Sequence, residues 1–404
     1  MTPSIARLHA WAAMAWLVGA LVSPPMEGAA FAALALAALI RWREFVQRLV
    51  GDRDLCFTLL LLLLTLGWAW LSRAWSPAGV NGKLHVRVLL APFMIVHAGL
   101  TLRQVLCAMA LPGLWWALVL GVAWRGVPLG DLAPEHPSRA MLGLLTLGAA
   151  CVAQMQSWVG WGQVGWLAVA WLAWGVGAAV ASSRAGVVAV AASALITTAV
   201  SRRSVRQGLL AVMAAGLALA LSVTALWFTP VGYKMRSKFD AAVSAESGDP
   251  SRFDLHDLDT LLSMRLSLWD WTLANTRREV VGHGAGSWEH HVRDPVIGAT
   301  RDRSGYWLDQ RRAFGVDHAH MLPLQLFYEQ GLVGLVLLGG FALMLAEWAW
   351  KARLTKAGVL GLSTLVAFSV LSLVEGALLT RATAAALAVV VAIRSIDAAA
   401  TEPG

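Results

Sequence analysis

Three stretches of the 404-residue sequence combine residue types that can do chemistry. Ala181-Ser182-Ser183-Arg184-Ala185-Gly186 sets one arginine in a tight turn between two apolar runs. Arg184 has little loop to escape into. It can aim a bidentate donor at an anion, or snorkel to lipid headgroups. The stretch 256–278 reads as a helix. Leu258, Leu261, Leu262, Leu268, Trp269 and Thr272 share one face of it, with Arg265 in the middle. An arginine buried there needs an anionic partner such as a carboxylate, a headgroup or a phosphate. The plainer alternative is a helix lying at the membrane interface. Arg277 and Arg278 sit near the helix end, where they complement its dipole. The third stretch is Asp317-His318-Ala319-His320-Met321-Leu322-Pro323, which opens an apolar run. Pro323 favours a first helical turn, so the helix starts close to His320. Free N–H groups at that end disfavour an imidazolium and keep a histidine able to accept a proton. His318 and His320 point about 200° apart on a helix, so one of them faces a given pocket. The alternative is a pair of interfacial histidines.

Other candidates carry less. His256, His283, His290 and His291 have no Cys partner and no zinc-ligand spacing, so no metal site is expected. Gly282-His283-Gly284-Ala285-Gly286 follows no strand and is not a nucleotide fingerprint; it reads as a compact reversal after the 256–278 helix.

The elements that hold these residues are apolar. Hydrophobic residues make up 58% of the chain and charged residues 14%, with 21 Trp against 3 Tyr. That balance excludes a cytosolic enzyme, a disordered chain and a disulfide scaffold. Residues 230–317 hold 12 Lys/Arg and 13 Asp/Glu, the density of a soluble domain. Runs near 8–24, 28–40, 55–72, 84–101, 104–124, 140–157, 164–181, 186–200, 208–229, 319–348, 357–374 and 377–393 are apolar enough for spans. The expected fold is an all-α polytopic membrane protein of about 12 helices. Residues 1–229 carry the first nine, 230–317 form one large loop, and 318–404 carry the rest. Cys56, Cys107 and Cys151 all fall inside apolar runs, as free buried thiols. The first run ends in Pro24-Pro25-Met26-Glu27, with no small-x-small cleavage site. No acidic residue is expected at mid-span, apart from Glu375.

The net charge of +8 then reports topology rather than nucleic-acid binding. With the N-terminus cytoplasmic, 13 Lys/Arg outside the large loop fall on inner segments and 7 on outer ones. Both termini are therefore expected inside and 230–317 outside. Trp68, Trp70, Trp75, Trp115, Trp116, Trp158, Trp161, Trp348 and Trp350 mark span ends.

Ser183-Arg184, Met264-Arg265 with Trp269, Gly282 to Gly286, and His318-Ala319-His320-Met321-Leu322 running into Glu329-Gln330-Gly331-Leu332-Val333-Gly334 occur in this order. The set resembles the O-antigen ligase and O-antigen polymerase superfamily of bacterial envelopes. In that family the last block reads His-x-His-Asn; Met321 stands at the Asn position here. Length and the single dominant loop are similar to the lipopolysaccharide ligase branch.

The resemblance implies a GT-C-like glycosyltransferase of the bacterial inner membrane, with its active site facing the periplasm. It would move O-antigen from undecaprenyl diphosphate to a sugar hydroxyl of lipid A–core, with inversion and without metal or other cofactor. Arg184 and Arg265 would bind the diphosphate, with Lys83 and Arg87 extending the cationic lining. His320 would be the general base, with His318 the second choice. Partners are the lipid-linked donor, lipid A–core and membrane lipids, and no nucleic acid. Two other readings stay open: an O-antigen polymerase using the same donor, and a twelve-helix secondary transporter.

Overall fold

A computed structural model describes residues 3–77, 86–124, 137–155, 161–180, 265–276, 280–293, 319 and 321–374, with short pieces within 192–199 and 389–396. Helix is the only regular structure among these residues. Apolar runs in lipid have no water for their backbone groups, and the helix pairs those groups within one segment.

The main helices among the described residues are α1 (Pro3–Val22), α2 (Pro24–Ile40), α3 (Trp42–Gly51), α4 (Arg53–Leu71), α5 (Val86–Ile95), α6 (Leu102–Trp124), α7 (Pro137–Met155), α8 (Trp161–Val180), α9 (Arg265–Asn275), α10 (Ser287–Arg293), α11 (Leu322–Lys351) and α12 (Lys356–Val374). A 3-10 turn, Ser72–Trp75, extends α4. Among the described residues, four stretches are long and apolar enough to cross a membrane: Ile5–Val22, Arg53–Trp75, Leu102–Val119 and Leu322–Lys351. Pro25–Ile40, Leu144–Gln154 and Lys356–Val370 are shorter apolar helices. The chain is a membrane protein. The expected runs 186–200, 208–229 and 377–393 lie largely outside the described residues.

One expectation about the helices needs correction. The run 84–101 is not one span: α5 ends at Ile95, and Gly99 at φ 70° turns the chain before α6. Pro92 inside α5 has no N–H to continue the ladder. The link between α2 and α4 is itself structured. It folds as α3, whose Phe45 is buried.

Close approach of small residues sets the packing. A Cβ on Gly19 would lie 2.8 Å from the Glu27 nitrogen, so α1 and α2 meet almost backbone to backbone. Gly148 of α7 leaves room for the Trp174 indole of α8, whose Nε1 donates to Leu145 O at 3.2 Å. Trp16, Leu34, Leu59, Leu62 and Phe341 are buried in the shared core. The three cysteines are free, but only Cys151 is buried; Cys56 and Cys107 lie on outward faces.

The bundle has a polar knot at the end where α4 begins. Arg41 joins Glu44 by an ion pair and donates to His9 Nδ1 at 3.2 Å. A guanidinium only donates, so His9 Nδ1 accepts and its Nε2–H donates to Met94 O at 3.0 Å. His97 reaches Ala38 O at 3.3 Å, and Arg48 donates to Val96 O at 2.7 Å. These contacts pair carbonyls left open at the ends of α2 and α5 and in the turn after α5.

Candidate functional site

The opposite end of α4 carries the site. It forms where α11 breaks. Gly331 has φ 67° and ψ −166°, which is not helical. The break frees three successive carbonyls, and each finds a donor from a distant segment. His283 N donates to Tyr328 O at 2.9 Å and Gly284 N to Glu329 O at 2.7 Å. The Trp68 indole of α4 donates to Gln330 O at 2.8 Å. In return Val333 N donates to Val280 O at 3.2 Å. The glycine-rich segment is therefore more than a reversal. It is the clamp on a broken membrane helix.

Two glycines make that clamp possible. Gly282 has φ 71°, and a Cβ there would lie 2.4 Å from the Glu329 carbonyl carbon. A Cβ on Gly331 would lie 2.2 Å from Val280 O. Neither contact admits a side chain. The 3-10 turn that extends α4 holds the clamp from the other side. Ser72 Oγ accepts the Ala285 N–H at 3.2 Å, and the Trp75 indole donates to Gly282 O at 3.2 Å.

An aromatic layer fills the space between clamp and helices. Tyr328 is buried, with His283 stacked on its ring at 4.5 Å. His283 Nδ1 lies 3.2 Å from Tyr328 O; a carbonyl only accepts, so Nδ1 bears the proton. His291 Nδ1 meets the Tyr328 hydroxyl at 2.6 Å. Trp271 and Trp288 pack edge to face at 6.0 Å.

Arg265 is the first described residue of α9 and is half-buried; residues 256–264 and 277–278 of the expected 256–278 helix lie outside the described residues. The buried face of α9 is Leu268, Trp271, Thr272 and Asn275. Trp269 was expected on that face and is only half-buried. Its indole instead donates to Ala319 O at 3.1 Å. That bond joins the arginine-bearing helix to the histidine segment. Ala319 is fully buried, and its N–H donates to Gln325 Oε1 at 3.3 Å. α11 starts at Leu322 with Pro323 in its first turn, where the proline placed it. The backbone is thus fixed on both sides of residue 320. His318, His320, Arg184 and Lys83 lie outside the described residues. Arg87 sits in the first turn of α5, and its side chain lies outside them too.

The structure also places a residue that the sequence reading quoted within a motif but gave no role. Glu329 lies inside α11 and is buried. Its Oε2 accepts the Gly286 N–H at 3.0 Å and its Oε1 the Gln325 Nε2 at 3.1 Å. The expectation of no acidic residue at span depth, apart from Glu375, is therefore corrected. An ionisable residue inside an apolar run is itself a signal of function, and that signal was present at Glu329. Among the described residues no group of three or more His, Cys, Asp or Glu is placed to hold a metal ion.

No curated protein matches the chain. Residues 167–339 match the family model described as O-antigen ligase. The match takes in α9, α10, the glycine clamp and the break in α11. Over these residues the chain is similar to the O-antigen ligase family.

Proposed function

We propose that the protein transfers O-antigen polysaccharide from undecaprenyl diphosphate to a sugar hydroxyl of lipid A–core, at the periplasmic leaflet of the bacterial inner membrane. Both termini are cytoplasmic in this reading, which follows the excess of Lys and Arg on the inner segments. The observation that carries the reading is the family match over 167–339, the stretch that holds Arg184, Arg265, His318 and His320. The anchoring of Ala319 to both α9 and α11 supports it. A base that must meet an acceptor hydroxyl within hydrogen-bond reach needs a fixed backbone.

The roles follow from charge. The diphosphate gains negative charge as the glycosyl bond breaks. The Arg184 and Arg265 guanidiniums neutralise it, with Lys83 and Arg87 extending the lining. The sugar develops oxocarbenium character, and His320 accepts the acceptor's proton as the new bond forms on the opposite face. His318 is the second choice for that role. No metal or other cofactor takes part. Both substrates are lipid-linked, so the membrane itself supplies proximity.

The test is His320→Ala in purified protein supplied with lipid-linked O-antigen and lipid A–core. The variant is expected to fold and to lose transfer. Near-native ligation by a folded His320→Ala protein sinks the assignment.

A further inference from the structure

Ala319 is held at both of its backbone polar groups. Its N–H goes to Gln325 Oε1 at 3.3 Å, and its carbonyl takes the Trp269 indole N–H at 3.1 Å. Gln325 passes the hold on. Its Nε2 donates to Glu329 Oε1 at 3.1 Å, and Glu329 Oε2 accepts Gly286 N at 3.0 Å. Ala319, Gln325 and Glu329 are all buried. Gln325 and Glu329 are four residues apart, on one face of the first segment of α11.

The residue types fit the chain of bonds. Gln325 must accept from a peptide N–H on one side and donate to a carboxylate on the other. Its amide offers both. Glu329 takes N–H donors both from its own helix and from the clamp. A leucine pair at these positions would pack against the same neighbours without the cost of burying a carboxylate. What an apolar pair cannot do is fix a peptide group.

We propose that Gln325 and Glu329 are positioning residues: they tie the backbone beside His320 to the glycine clamp, and so set the histidine relative to the arginine-bearing helix α9. This rests on the reading that His320 is the general base. Neither residue touches substrate. They act through Ala319, and the Trp269 bond makes Ala319 the junction between the base and Arg265.

The experiment uses the full-length protein in lipid nanodiscs, with lipid-linked O-antigen and lipid A–core. Gln325→Met keeps the volume and loses both bonds. It is expected to lower kcat by about 10²-fold, the cost of a displacement near 1 Å, with donor KM little changed. Hydrogen–deuterium exchange over 315–325 is expected to show the Ala319 amide opening faster. The exchanged pair Gln325→Glu/Glu329→Gln rebuilds every donor and acceptor and should restore both readouts. Gln325→Glu alone sets two carboxylates together and should not. Trp269→Phe removes the other hold, and its loss should not add fully to that of Gln325→Met. Native kcat and native exchange in Gln325→Met overturn the proposal. So does an exchanged pair that folds yet does no better than Gln325→Glu alone. A native protein without transfer activity counts against the proposed reaction instead. The exchange measurement then decides the tether: native protection in Gln325→Met overturns it.

Discussion

The Gly284 N–H donates to the Glu329 carbonyl at 2.7 Å, across 45 residues of sequence. This bond and its neighbours let a membrane helix break at Gly331 without leaving its carbonyls orphaned. The break gives the Leu322–Gln330 turns a path of their own, and Ala319 is anchored just before them.

Gly331→Ala tests the clamp. A residue with a side chain at φ 67° costs about 1–3 kcal/mol. The 2.2 Å approach to Val280 O adds a clash that only a shift of the clamp relieves. A lowered Tm and faster proteolysis near 280–286 are expected. Gly339→Ala is the control. A Cβ there meets nothing within 4 Å, so Tm should hold or rise.

Tyr328→Phe keeps the ring between His283 and Trp271 and deletes the hydroxyl that meets His291. The expected loss is about 1 kcal/mol in unfolding free energy. Tyr328→Ala opens a cavity in the aromatic layer and should cost about 3–5 kcal/mol. Equal effects of the two variants in denaturation would contradict the packing role.

Much of this end of the molecule was legible in residue types. Pro323 marked the start of α11, and Arg265 falls on the buried side of α9. The break at Gly331 was not legible. Gly-Leu-Val-Gly in an apolar run reads equally as close helix packing. What opens the helix is a segment 45 residues away that supplies the replacement donors. For the same reason Gln325 passed as part of a span, and Glu329 was quoted in a motif without a role. Their role shows only when Ala319 and Gly286 stand beside them. Trp271 rather than Trp269 is the buried tryptophan of α9 because Trp288 and Tyr328 form the opposing surface.

The polar knot at the other end predicts an acid limit to stability. Burial lowers the pKa of His97 from its ordinary 6.5, and the Arg41 charge pushes the same way. The unfolded chain therefore binds the proton more readily. The contribution is complete above about pH 6.5 and is lost as pH falls toward the lowered folded value. Thermal scans at pH 7.5 and pH 5 should show a lower Tm in acid. His97→Gln should flatten that difference, and an unchanged slope would contradict the assignment.

Arg184→Ala and Arg265→Ala are each expected to weaken use of the diphosphate donor by about 10- to 100-fold in kcat/KM, at unchanged lipid A–core dependence. Steady-state kinetics at varied donor would show it. Chelators are expected to leave the native rate unchanged.

The most direct measurement offers purified protein, loaded with lipid-linked O-antigen, two acceptors at once: lipid A–core and a lipid-linked single repeat. The account predicts glycan on lipid A–core, no lengthening of the lipid-linked chain, and neither product from His320→Ala. Lengthened lipid-linked glycan with bare lipid A–core would contradict it and make the protein a polymerase.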